Sequence, residues 1–273
     1  MSASERAPGR LDDRVCIVTG GGRGIGRATA LEMARRGARA VVIADVDATA
    51  GEATAAEVER LGAASAFVSC DVADEDDVRR LMATAAERFG GIDVLHNNAG
   101  LLDTQLTDQL RLDLLPTEVW DRMFAVNVRG PWLCMKHAVP YLRASRFPAI
   151  VNAGSVSSFT AWEGEAAYAP TKAAVMLLTQ MAALDFRPFG IRVNCYCPGV
   201  VDTGMIQAAF DASPDPEQAR RELAGLHLTR EPRLADPSEI ANVVCFLASD
   251  DASFVNGAAL RVDAGMLAWR ATR

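Results

Sequence analysis

Val15-Cys16-Ile17-Val18-Thr19-Gly20-Gly21-Gly22-Arg23-Gly24-Ile25-Gly26-Arg27 decides how the chain reads. A short apolar run rich in β-branched residues turns through glycines into a helical pattern, so a buried strand, a tight turn and a helix N-terminus follow one another. Glycines let the backbone approach a phosphate, and the free N–H groups and positive end of the helix dipole favour its charge. The spacing is T-G-x-x-x-G-x-G, carried by Gly20, Gly24 and Gly26. It is neither G-x-G-x-x-G nor a P-loop, since no G-K-[ST] follows. An isolated match of this kind is most often an ordinary glycine-rich turn. Here a strand precedes it, a helix follows, and Asp45 ends the next strand about 20 residues on.

Outward from that turn, strands and helices alternate. Ala40–Ala44 is a strand delivering Asp45, and Ala64–Ser69 is a strand followed by Asp71-Val72. Asp74 reads as the N-cap of a helix running to Phe89. Asp93–His96 leads into Asn97-Asn98-Ala99-Gly100, and Ala149–Gly154 ends at Ser155. This alternation predicts an α/β fold: a doubly wound parallel β-sheet with helices on both faces, in one domain. Ligands bind such sheets at the carboxyl ends of the strands, where Thr19–Gly26, Asp45, Asp71 and Asn97–Gly100 all fall. Residues 1–12 read as a flexible tail, 13–273 as the single domain, and about 204–232 as a mobile helical flap. Leu101–Leu115 is an irregular, leucine-rich connection, and Pro116-Thr117-Glu118 opens a long helix through Asn127 to about Arg143. Pro131 lacks the N–H that would bond the Asn127 carbonyl, so a distortion is expected at 127–131.

The chain has 273 residues, half of them hydrophobic, and a net charge of −7, which speaks against a nucleic-acid or anionic-membrane surface. No apolar run approaches the ~18 residues that span a bilayer, and MSASERAPGR lacks a signal-peptide core, so a cytoplasmic location is expected. Six cysteines without a C-x-x-C pair, and three scattered histidines, point to reduced core thiols and to no metal site.

Tyr168-Ala169-Pro170-Thr171-Lys172 sets a phenol and an ammonium four residues apart on one helix face. A free tyrosine titrates near ~10, too high for an efficient base at neutral pH, and a neighbouring cation favours the phenolate. Alone, Y-x-x-x-K usually marks two solvated residues. Ser155, at a neighbouring strand end, can hold the same substrate oxygen. A serine hydrolase reads poorly, because Gly154-Ser155-Val156 does not fit G-x-S-x-G and His227 is the only later histidine.

Together with Asn97-Asn98-Ala99-Gly100, Asn127 and Pro198-Gly199-x-Val201-x-Thr203, these residues resemble the short-chain dehydrogenase/reductase family from Leu11 to Gly265. The resemblance implies a catalytic tetrad of Asn127, Ser155, Tyr168 and Lys172. Tyr168 would be the general acid/base. Lys172 would lower its pKa and bind the nicotinamide ribose, Ser155 would position the substrate oxygen, and Asn127 would hold a relay water. The dinucleotide would lie against Gly20, Gly24, Ile25 and Gly26, with Asp71-Val72 and Asn98-Ala99-Gly100 beside it and Pro198, Gly199, Val201 and Thr203 at the carboxamide. Arg23 stands where it can contact a 2′-phosphate, although a solvated arginine is the more ordinary reading. Asp45 repels that phosphate and accepts the ribose hydroxyls, so NAD is expected over NADP. Leu101, Trp162 and Met205, with Phe159, Ile206 and Phe210, are candidate walls for an apolar secondary alcohol or ketone. Packing in the core or at a subunit contact is about equally plausible for them. An NADPH-dependent 3-oxoacyl reductase and a non-catalytic dinucleotide-binding scaffold are the alternatives. The family pattern also implies a homotetramer, with the Asn127 and Tyr168 helices pairing across a two-fold axis through Trp132, Leu133, Met135, Val139, Val175, Met176, Leu178 and Met181. Asp263-Ala264-Gly265 replaces the family's usual Asp-Gly-Gly.

Overall fold

The computed structural model describes residues 9–211 and 213–268. Among the described residues seven strands form one parallel sheet in the order β3-β2-β1-β4-β5-β6-β7. They are β1 (Val15–Thr19), β2 (Ala40–Asp45), β3 (Ala64–Ser69), β4 (Val94–Asn97), β5 (Ala149–Ala153), β6 (Arg192–Pro198) and β7 (Ala259–Val262). The helices are α1 (Gly24–Arg35), α2 (Ala48–Arg60), α3 (Glu75–Phe89), α4 (Thr117–Phe124), α5 (Gly130–Leu142), α6 (Tyr168–Asp185), α7 (Gly204–Asp211), α8 (Pro216–Ala224) and α9 (Pro237–Ala248). The doubly wound sheet expected from the alternation is therefore present. The sheet grows one way from β1 to β3 and the other way from β4 to β7, and this change of winding between β1 and β4 opens the crevice at the strand ends where such sheets take ligands.

Alternation along the strands builds two cores. Ile17, Val42 and Ala44 face Val78, Leu81, Leu133 and Leu142 on one side. Cys16, Val18, Val41 and Ile43 face Leu31, Met33, Val58, Ile240 and Val244 on the other. Both faces are covered, which is why the strands read as continuous apolar runs. Asp74 caps α3 by accepting from the N–H groups of Asp76 and Asp77, as its position predicts.

Four expectations need correction. The domain begins before residue 13, because Leu11 is wholly buried and its N–H donates to the Arg36 carbonyl at 2.9 Å. The rest of the expected tail, residues 1–8, lies outside the described residues. The single long helix from Thr117 is two helices joined by a π turn at Ala125–Arg129, where the Gly130 N–H reaches back to the Ala125 carbonyl. The backbone stays helical through Gly130, so Pro131 distorts the helix without breaking it. Phe210 is buried with Ala224 and Leu234, where α7, α8 and the following segment pack together, and so is no substrate wall. Leu133, Met135 and Val175 are core residues; the exposed apolar residues on α5 and α6 are Trp132, Leu177, Met181 and Leu184.

Candidate active site

The glycine turn is held by close approaches that leave no room for side chains. A Cβ on Gly26 would lie 2.0 Å from the Gly20 carbonyl oxygen, and one on Gly20 would lie 2.8 Å from the Ala99 Cα. Gly20 and Gly24 also adopt positive φ, 61° and 53°, which a side chain would strain. Asn98 ties β4 to this turn: its Nδ2 donates to the carbonyls of Thr19 and Gly20, and its N–H donates to the Thr19 hydroxyl. Tyr196 donates to Asn98 Oδ1 from behind. Ile25 packs on the α1 core, Val72 is buried against Gly130, and Thr203 sits over Gly24, 3.2 Å from where a Cβ would stand. This glycine cradle, open at the N-terminus of α1, fits the pyrophosphate of a nicotinamide dinucleotide.

Asp45 accepts from the Gly22 N–H at 2.8 Å and the Asp47 N–H at 3.0 Å, so its carboxylate is pinned beside the turn. Arg23 points instead to Asp47, with which it forms an ion pair. Asp71 accepts from the Ala73 N–H and from Arg122, which fixes the Asp71-Val72 loop over α4. Pro198 ends β6, and the Gly199 N–H donates to Val262 while Val201 bridges Ala235. A Cβ on Gly199 would meet His227 Nε2 at 2.6 Å. That histidine accepts from the Val200 N–H and bonds the Arg233 carbonyl, a structural role that leaves it no part as a hydrolase base. The Asp263-Ala264-Gly265 turn forms despite its alanine, with Ala264 at φ 45° and Asp263 accepting from Gly265 and Leu267.

Asn127, Ser155, Tyr168 and Lys172 converge. The Asn127 amide pairs with both backbone groups of Leu101, at 2.8 and 3.0 Å, and donates to Thr171. A Cβ on Gly100 would lie 3.3 Å from Asn127 Oδ1 and 3.5 Å from Lys172 Nζ, so this glycine occupies the gap between them. Lys172 is buried, donates to the Ala153 carbonyl at 2.9 Å, and its ammonium lies 5.5 Å from the centre of the Tyr168 ring. Burial pulls the ammonium down to about 8. Burial pushes the Tyr168 phenol above its ordinary value, Glu165 adds to the rise, and hydrogen bonding with Ser155 partly offsets it. The buried surroundings of Tyr168 therefore favour its neutral phenol. Tyr168 is the first residue of α6, so Pro170 falls where helix N–H groups have no partner.

Residues without a motif support this cluster. Asp103 is fully buried and accepts from the N–H groups of Ala167 and Tyr168, at 2.8 and 2.9 Å. It comes from the irregular 101–115 connection and caps α6 from 65 residues away. Ser158 donates to the Lys172 carbonyl and accepts from the Ser155 N–H. Leu101 packs with Val119, Met123 and Tyr168, and Trp162 lines a hollow with Leu110 and Leu112, facing the same connection. Met205 opens α7, half-buried. Among the described residues no group of three or more His, Cys, Asp or Glu side chains could hold a metal ion, and no helix is long and apolar enough to cross a membrane. All six cysteines are buried free thiols.

A family model described as enoyl-(acyl carrier protein) reductase matches residues 20–267. The chain is 40% identical over 256 residues to cis-4-hydroxycyclohexanecarboxylate dehydrogenase of Sinomonas cyclohexanicum, covering 94% of this chain and 97% of that one. It is 37% identical to cyclopentanol dehydrogenase of Comamonas sp., covering 95% and 99%. The crystal structure of levodione reductase superposes with a TM-score of 0.88 at 32% identity, over 95% of this chain and all of that one. The chain belongs to the short-chain dehydrogenase/reductase family, and with it to the oxidoreductases that act on CH–OH groups with a nicotinamide dinucleotide.

Proposed function

We propose that this protein oxidises apolar, cyclic secondary alcohols, or reduces the matching ketones, with NAD(H) rather than NADP(H). The observation that carries the reading is the meeting of Ser155, Tyr168 and Lys172 beside a glycine cradle whose neighbouring strand ends in a pinned carboxylate, Asp45. When bound, the nicotinamide dinucleotide takes up or supplies the hydride. Gly20, Gly24 and Gly26 hold its pyrophosphate, and Asp45 accepts the adenosine ribose hydroxyls. Asp71, Val72 and the Asn98–Gly100 backbone would lie beside the dinucleotide, and Pro198, Gly199, Val201 and Thr203 would hold the carboxamide end.

Tyr168 moves the proton at the substrate oxygen, and Ser155 holds that oxygen by its hydroxyl. The Lys172 ammonium binds the nicotinamide ribose and, with the positive charge of the oxidised ring, favours the phenolate that alcohol oxidation needs. The backbone carbonyl of Asn127, at the π turn where Pro131 offers no donor, holds the relay water. The pairing of Arg23 with Asp47 supports NAD, because it withdraws the cation that a 2′-phosphate would seek. Leu101, Trp162 and Met205 form the apolar wall. The named substrates of the relatives, cyclopentanol and a hydroxycyclohexane carboxylate, support a ring-sized site. The protein works in the cytoplasm as a homotetramer. A panel of cyclic and linear alcohols and ketones, run with both cofactors, tests this. NAD-linked oxidation of cyclopentanol or cyclohexanol is expected, and turnover only of 3-oxoacyl thioesters with NADPH would replace the reading.

A further inference from the structure

The loop between β5 and α6 carries a half-buried acid, Glu165, that the tetrad does not use. Glu165 lies three residues before Tyr168, and its backbone carbonyl accepts from the Ala169 N–H in the first turn of α6. Its Oε2 is buried without a hydrogen-bond partner. Its other side-chain interaction is with Ser157, whose hydroxyl oxygen lies 3.2 Å from Ser155 Oγ. The Ser155 hydroxyl in turn stands beside the Tyr168 phenol. Four side chains therefore stand in series: Tyr168, Ser155, Ser157, Glu165. Both serines are buried, and each hydroxyl can donate once while accepting.

We propose that Glu165 is the terminus of a second proton path, running from Tyr168 through Ser155 and Ser157, in addition to the path past Lys172. This rests on the dehydrogenase reading above. In alcohol oxidation the substrate O–H proton passes to the Tyr168 phenolate. Once the ketone has left, Ser155 turns its hydroxyl from the substrate oxygen to Ser157, taking a proton from the phenol as it gives its own to Ser157, and Ser157 gives its own to the Glu165 carboxylate. Each hydroxyl ends with one proton, so the net change is one proton moved from alcohol to Glu165, which releases it to solvent. Ketone reduction runs the same series backwards after rotation of the two hydroxyls.

Burial raises the Glu165 carboxyl above its ordinary value, and the nearby Asp103 raises it further, while Ser157 partly offsets both. The titratable groups facing Glu165 are Asp103 and Tyr168. Asp103 is committed to two backbone N–H groups and has no serine in its bonds, so it does not belong to the series.

The test uses the full-length protein with NAD and cyclopentanol, and three variants: Glu165→Gln, Glu165→Asp and Ser157→Ala. Glu165→Gln and Ser157→Ala should each lower kcat about tenfold, with the Kd for NAD unchanged and with the pH–rate limb assigned to Glu165 removed. The double variant should be no slower than either single one, because both cut the same path. Glu165→Asp should keep kcat within about threefold and keep the limb. An infrared pH titration of the free protein gives a readout apart from turnover: a protonated buried carboxyl titrating above the ordinary range, absent in Glu165→Gln. Failure of the wild type to oxidise or reduce any compound of the panel defeats the dehydrogenase reading, and the relay with it, even if the infrared band is present. With an active wild type, an unchanged pH–rate profile in Glu165→Gln overturns the relay. So do multiplying effects in the double variant, or a Glu165 carboxyl that titrates in the ordinary range.

Discussion

On the proposed reading Tyr168 carries the proton chemistry, because its ring is packed while its oxygen stands beside Ser155 and the Lys172 ammonium lies 5.5 Å from the ring centre. Removing that oxygen leaves the packing. Tyr168→Phe should lower kcat by at least ~10²-fold with the Kd for NAD within about threefold, measured by steady-state rates and cofactor titration. Asp45 is a second test at this scale. On the proposed reading its carboxylate would accept the ribose hydroxyls as a charged acceptor worth about 1.5–3 kcal/mol, so Asp45→Ala should weaken NAD by roughly tenfold or more while NADP binding improves. Unequal loss in the other direction would give Arg23 the deciding role. Both residues were legible from the chain, Asp45 from its distance to the glycine turn and Tyr168 from its spacing to Lys172. Asp103 and Glu165 were not. Asp103 finds its partners 64 and 65 residues away, and no local period carries such a bond. Glu165 reads as one more charged loop residue until Ser157 is seen beside it.

At the scale of elements, α6 is aimed from outside itself. Asp103 satisfies two of its first N–H groups from the 101–115 connection, which gives that irregular segment a structural reason to exist. Asp103→Ala should cost about 3 kcal/mol in denaturant unfolding, since two hydrogen bonds to a charged group are lost and two buried N–H groups are orphaned. A loss under about 1 kcal/mol would show that water replaces the carboxylate. The strands and their order of appearance were readable because both sheet faces are apolar and period two is kept. The π turn was only half readable. Pro131 announced a distortion, but nothing local said that the chain would add one residue to the turn instead of breaking at Gly130. The tight seat of Gly130, whose Cβ would lie 2.7 Å from Val72 Cγ2, belongs to tertiary structure.

For the whole molecule, two properties follow from burial. His96 lies at the centre of the sheet, wholly buried and bonded to Tyr196, and burial pulls it down to about 3. The unfolded chain binds a proton at His96 near the ordinary value of 6.5, while the folded chain refuses it until about 3. Stability therefore falls as pH drops below 6.5, by up to ~1.4 kcal/mol per pH unit from this residue. His96→Gln should flatten that slope between about pH 6.5 and 5, and an unchanged slope would mean that carboxylates alone set it. The second property is assembly. Leu177, Met181 and Leu184 recur on one face of α6 and are 60%, 49% and 62% exposed, a stripe that a monomer leaves in water. Sedimentation at micromolar concentration should give a tetramer, and Leu177→Glu with Met181→Glu should give a smaller species with its fold intact. A wild-type monomer would contradict the arrangement. The sequence marked α5 and α6 as over-supplied with apolar residues, yet it could not say which of them the core absorbs. Leu133, Met135 and Val175 went inward because the sheet needed them, and that choice is fixed only by the packed fold.

The proposed reaction is transfer of hydride between an apolar secondary alcohol and NAD through the proton chemistry of Tyr168. It is tested most directly by following reduced nicotinamide as the wild type and Tyr168→Phe oxidise cyclopentanol with NAD and, separately, with NADP. The expected result is NAD-linked turnover by the wild type, weak or absent turnover with NADP, and loss of at least ~10²-fold in the variant at unchanged NAD affinity. Turnover by Tyr168→Phe within about tenfold of the wild type would contradict it.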